Sequence, residues 1–125
     1  MFITALQVAL GGAIGASLRY LSGVAIFKLM GPGFPLGVLF VNIVGSGIMG
    51  ALLVYLGQKG LSHLNPLLMT GLLGGFTTFS AFSLEAYTLY ERGAVGQAAL
   101  YIGLSVVLSL TALVAGVQLM RWVLA

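Results

Sequence analysis

Four long apolar stretches, separated by short gaps rich in glycine, proline or charge, organise the 125-residue chain. Residues 2–18, 29–58, 60–84 and 93–120 contain no Asp, Glu, Lys or Arg. A helix that crosses a bilayer needs about 20 mainly apolar residues. The pattern predicts four spans over roughly 2–29, 36–57, 65–90 and 96–122, forming one transmembrane domain over 1–125. The expected class is all-α integral membrane. GPGFP, Gly31 to Pro35, breaks the chain between the first two spans. GQKGLSHLNP, Gly57 to Pro66, separates the second and third, with Asn65 expected as helix cap and Pro66 in the first turn. ERG, Glu91 to Gly93, ends the third. The first stretch has no basic start and continues past Arg19, so it reads as a span and not as a removable signal.

Small residues recur four apart, at Gly11/Gly15, Gly12/Ala16, Ser46/Gly50 and Gly71/Gly75. In lipid this spacing lets helix backbones approach closely, so packing is their expected role.

Composition narrows the function. Hydrophobic residues make up 60% and charged residues 6%, against about 25% charged in a soluble domain. A net charge of +3, scattered along the chain, builds no nucleic-acid surface. The absence of cysteine excludes disulfides and thiolate metal sites. No nucleophile–base pair or ligand cluster is present, and the one histidine, His63, falls in a gap, so neither an enzyme nor an organic cofactor is expected.

Charge also bears on orientation. Four spans return the chain to the side where it started. Lys59 and Arg121 then lie on that side, and Lys28 and Arg92 on the other. Lys and Arg favour the cytoplasm, and here the balance is even. An even balance lets the chain insert both ways, and opposite copies would pair as an antiparallel, dual-topology homodimer with its two-fold axis in the membrane plane. Eight helices also enclose a polar path better than four.

Polar groups inside lipid are costly and need a partner or a task. The first span holds Gln7 and Arg19, and the second holds Asn42. The third holds Thr77, Thr78, Ser80, Ser83 and Glu85. In the fourth, Tyr101, Ser105 and Ser109 are four apart and share one face. A lone Ser or Thr commonly bonds its own helix one turn back. Asn42 cannot satisfy its amide that way and calls for a neighbouring helix or a ligand. Arg19 and Glu85 fall toward the same side and are expected to pair.

GGFTTFSAF, Gly74 to Phe82, sits at the middle of the third span. Paired glycines and threonines there predict an interrupted helix, tolerated at that depth only when buried or lining a cavity. The carbonyl ends of half-helices suit Na⁺, and a two-fold axis through the midplane would bring two such ends together. Phe79 and Phe82 follow on one face. Packing is the usual role of such rings. Their positive edges can also face a small anion.

Three blocks, GGAIGASLRY (Gly11–Tyr20), PLGVLFVNIVGS (Pro35–Ser46) and GLLGGFTTFSAFSLE (Gly71–Glu85), resemble the Fluc (CrcB) family of fluoride channels, in order and over essentially the whole chain. The resemblance implies a dual-topology antiparallel homodimer with two fluoride pores in a prokaryotic cell or inner membrane, exporting toxic cytoplasmic fluoride passively. It implies a central structural Na⁺ on the carbonyls of Gly74 and Thr77. It implies a pathway through Asn42, Phe79, Phe82, Tyr101 and Ser105, with Ser80, Ser83 and Ser109 beside it. Arg19 resembles the arginine that ends the first block. Val38 and Ala81 stand where the family usually or often has Thr, which deletes two hydroxyls near the path. Two other classes also use small membrane-spanning chains. A proton-coupled small multidrug exporter needs a carboxylate in the first span, which has none. A non-transporting helper subunit would be inert without its partner.

Overall fold

The computed structural model describes all 125 residues and contains helices and turns only. Helix α1 (Phe2–Met30) ends where Gly31 takes φ 77° and its N–H donates to the Phe27 carbonyl at 2.8 Å. Helix α2 (Leu36–Gln58) starts directly after Pro35. A single tight turn, Ser62–Leu64, leads into Pro66–Leu73, a helical segment with widened π-type turns. Short helix α3 (Gly74–Phe76) continues it, and α4 (Phe79–Glu91) follows after two extended residues. Helix α5 (Val95–Leu124) completes the chain. Four helical stretches, Phe2–Met30, Leu36–Gln58, Ser62–Glu91 and Val95–Leu124, are long and apolar enough to cross a membrane.

The reading of Asn65 as a side-chain cap is corrected. Its backbone is already helical (φ −54°, ψ −44°) because it continues the Ser62–Leu64 turn, and its side chain caps nothing. A capping residue needs extended angles to aim its oxygen back at the first turn. Pro66 does occupy the first turn, where its missing N–H is harmless.

The helices pack in a defined order. Helix α2 lies along α5, α1 lies against Pro66–Leu73 and α3, and α4 packs on α5, while α1 touches neither α4 nor α5. Glycine makes the close contacts. A Cβ at Gly15 would overlap the Leu72 carbonyl, and one at Gly50 the Leu113 carbonyl. The four-residue glycine spacing therefore marks helix contacts, as expected. The small core, Leu39, Leu89, Ala98 and Tyr101, joins α2, α4 and α5 near the Gly31–Pro35 end. Only 14 residues are buried, so most apolar side chains point outward and need lipid or protein to cover them.

The packing yields a paired prediction. Gly15→Val forces a branched side chain into the Leu72 backbone, and overpacking of this kind costs about 1–3 kcal/mol. Thermal unfolding in detergent should show a clear fall in melting temperature. Gly96→Ala, with no atom within 4 Å of the added carbon, should leave it unchanged or raise it.

Candidate functional site

The site begins with two residues that leave the helix. Thr77 (φ −87°, ψ 162°) and Thr78 (φ −153°, ψ 124°) are extended, between α3 and α4. Extended backbone inside lipid must find other hydrogen-bond partners. The Thr77 N–H and Oγ1 both donate to the Leu73 carbonyl, at 3.0 and 2.9 Å. The Thr78 N–H donates to Asn42 Oδ1 at 2.8 Å, and Asn42 Nδ2 donates to the Thr78 carbonyl at 3.0 Å. The side-chain amide of α2 thus mimics a backbone partner. Thr78 Oγ1 accepts the Ala81 N–H at 3.2 Å and so caps α4. Arg19 Nε donates to the Gly75 carbonyl at 3.1 Å.

This rerouting selects certain carbonyls. In a continuous helix the Gly74 carbonyl would accept from the Thr78 N–H, and the Thr77 carbonyl from the Ala81 N–H. Both donors are engaged elsewhere, on Asn42 and on Thr78 Oγ1. Gly74 and Thr77 are the two residues the sequence singles out as carbonyl donors.

Beside this segment lies an open cleft of about 460 Å³. Asn42, Phe79, Phe82, Ser105 and Ser109 line it together. Tyr101 stands next to it, its ring 5.3 Å from Phe82, which in turn is 5.5 Å from Phe79. Phe34 meets the other side of Tyr101 edge-on at 5.6 Å. The Ser105 and Ser109 hydroxyls are buried, and neither has a hydrogen-bond partner, while the Tyr101 hydroxyl lies beside the Glu85 carboxyl. The two serines are unlike Ser17, Ser83 and Thr88, each of which donates to the carbonyl four residues back. One face of α5 therefore presents two hydroxyls to the cleft with their donors uncommitted.

Other predicted residues lie apart. Ser83 is exposed and donates to the Phe79 carbonyl at 3.0 Å. Ser80 is also exposed, 3.4 Å from Thr78 Oγ1. Arg19 and Glu85 line a larger cleft of about 730 Å³ toward the Gly31–Pro35 end, with Lys28, Arg92, Val38 and Ala81. The expected Arg19–Glu85 ion pair does not form. Arg19 is drawn to Gly75, and Glu85 Oε2 is buried without a partner. Phe76 packs beside Gly45 and does not line the cleft. Ser46 and the Thr78 side chain also line the cleft and were missed as site residues. Ser46 is four residues from Asn42 and so shares its helix face, while Thr78 precedes a helix start as a capping Thr does.

No cluster of His, Asp and Glu suited to a metal exists in the chain. The chemistry of the cleft is that of neutral donors: an amide, hydroxyls and ring edges.

Comparison with known proteins agrees with the resemblance read from the motifs. The sequence profile described as CrcB-like protein, Camphor Resistance (CrcB), matches residues 6–117. A protein named fluoride-specific ion channel FluC in Ruegeria sp. (strain TM1040) is 66% identical over 125 residues, covering 99% of each chain. One so named in Cereibacter sphaeroides (strain ATCC 17029 / ATH 2.4.9) is 60% identical over 121 residues, 97% of each. One so named in Paracoccus denitrificans (strain Pd 1222) is 52% identical over 122 residues, 98% of each. With a profile match over most of its length and relatives this similar from end to end, the chain belongs to the CrcB family.

Proposed function

We propose that the chain is a fluoride-selective channel that lets toxic cytoplasmic fluoride leave the cell passively. The observation that carries this reading is the pair of buried, unpartnered hydroxyls on α5, Ser105 and Ser109, facing a cleft with the Asn42 amide and two phenylalanine rings. Fluoride is small and holds its water tightly, so a pore must replace that water with donors. Several neutral donors permit both entry and exit, which conduction requires. A full positive charge at each step would trap the ion. The names of the relatives support the choice of anion.

The conducting form is an antiparallel, dual-topology homodimer of a single four-helix transmembrane domain, multi-pass in the cell or inner membrane. The ring of Phe79 supports this, because 78% of the residue is exposed on the single chain although it belongs to the site. A second copy turns that open surface into an enclosed path. The third span acts as a broken transmembrane helix, a reading supported by the extended Thr77–Thr78 pair. The Gly74 and Thr77 carbonyls, whose helical donors are diverted, fit a structural Na⁺ shared by the two copies. Such an ion supplies a fixed positive charge near the anion path. Export follows from acid chemistry: HF enters from acidic surroundings, ionises in the cytoplasm, and the anion leaves through the channel.

Phe79→Ile or Phe82→Ile should reduce fluoride flux by about 2–12-fold, the scale of one lost aromatic contact, while the dimer still forms. Ser105→Ala should also slow flux but leave the melting temperature unchanged or raise it, since no hydrogen bond within the chain is lost and an unmet buried hydroxyl is removed. Normal flux in all three would remove these groups from the path. A C-terminal reporter should be found on both sides of the membrane, and its confinement to one side would contradict dual topology.

A further inference from the structure

We infer that Asn42 is a positioning residue for the cation site as well as part of the fluoride path. The inference rests on the Na⁺ reading above. Its basis is one cyclic pair of hydrogen bonds. The Asn42 amide accepts the Thr78 N–H at 2.8 Å and donates to the Thr78 carbonyl at 3.0 Å. The amide has two N–H groups, so one remains for the cleft that Asn42 also lines.

The Thr78 N–H is the donor that a continuous helix would give to the Gly74 carbonyl. Asn42 holds it away. Without the amide, that N–H would lose its partner, and its helical acceptor is the Gly74 carbonyl, one turn back. Recapture would restore a helical turn and occupy the oxygen that the cation needs. A similar exchange operates one step on. Thr78 Oγ1 holds the Ala81 N–H at 3.2 Å, away from the Thr77 carbonyl. Two side chains that are not themselves ligands therefore present the two ligand carbonyls. Through Asn42, the anion path and the cation site share a side chain, so they are coupled.

The coupling separates two substitutions of one residue. Asn42→Ala removes the acceptor and releases the Thr78 N–H. Asn42→Asp keeps an oxygen to accept that N–H, although it gives up the donor to the Thr78 carbonyl, and it places a negative charge on the anion path. The experiment is thermal unfolding of the purified full-length dimer in detergent, titrated with NaCl at constant ionic strength against N-methyl-D-glucamine chloride. Apparent Na⁺ affinity is read from the rise in melting temperature. Fluoride efflux from liposomes is measured on the same preparations.

Asn42→Ala should weaken Na⁺ binding by about 10–100-fold, the usual effect of removing a group that orients a metal ligand. Asn42→Asp should weaken Na⁺ binding less than Asn42→Ala, because it still holds the Thr78 N–H, while losing fluoride flux. Thr78→Val, which keeps its shape and removes only the hydroxyl, should weaken Na⁺ in the same direction and covers the case in which Asn42→Ala does not fold. Wild-type affinity in Asn42→Ala, or in Thr78→Val when the alanine variant does not fold, would overturn the inference. So would an Asp variant that weakens Na⁺ as much as Ala. A wild-type protein with no response to Na⁺ would instead overturn the cation reading on which the inference depends.

Discussion

The amide of Asn42, paired with both backbone groups of Thr78, is the interaction on which the middle of the molecule depends. Two extended residues halfway along a membrane span expose backbone donors and acceptors where no water can satisfy them. Asn42 takes two of these groups, Thr78 Oγ1 takes the Ala81 N–H, and Arg19 takes the Gly75 carbonyl. Three side chains from three segments thus hold one departure from helical geometry in place. Residues 74–82 acquire from it a pair of released carbonyls and two rings that line one cleft.

The rest of the fold serves that arrangement. Glycine contacts set α1 against the Pro66–Leu73 segment and α2 against α5 at backbone distance, which fixes how far Arg19 and Asn42 reach. The Ser105 and Ser109 hydroxyls then face the cleft without partners. A buried polar group left unmet costs about 1–3 kcal/mol, so two such groups in one row work against the stability of an isolated chain. That cost is consistent with a surface built to be completed by an ion, by water or by a second copy. Neutral donors, as opposed to charges, suit a path from which a strongly hydrated anion must also escape.

Much of this was legible in the residues. Charge-free stretches marked the spans, because lipid excludes charge. Glycines four apart marked contacts, because a helix repeats on that period. The same period put Tyr101, Ser105 and Ser109 on one face, and the fold brings Ser105 and Ser109 to the cleft with Asn42, Phe79 and Phe82. Asn42 did find a neighbouring segment, although no local pattern reveals that the partner is the backbone of Thr78, 36 residues away. Ser83 shows the limit of composition, since its hydroxyl turns back to its own helix. Arg19 and Glu85 show the limit of counting charges. Opposite charges at similar depth suggested a pair, but the guanidinium meets a released carbonyl first. Asn65 carried the right residue type for a cap and the wrong backbone angles.

The central claim is that this chain, unaided, passes fluoride selectively. Its most direct test is fluoride efflux from liposomes containing only the purified protein, with a K⁺ ionophore to clamp voltage and chloride efflux measured in parallel. Rapid fluoride loss with chloride retained is the predicted result, and it would make Val38 and Ala81 tolerable in a working pore. Fluoride retained by vesicles that hold a well-folded dimer, or chloride released as fast as fluoride, would contradict the account.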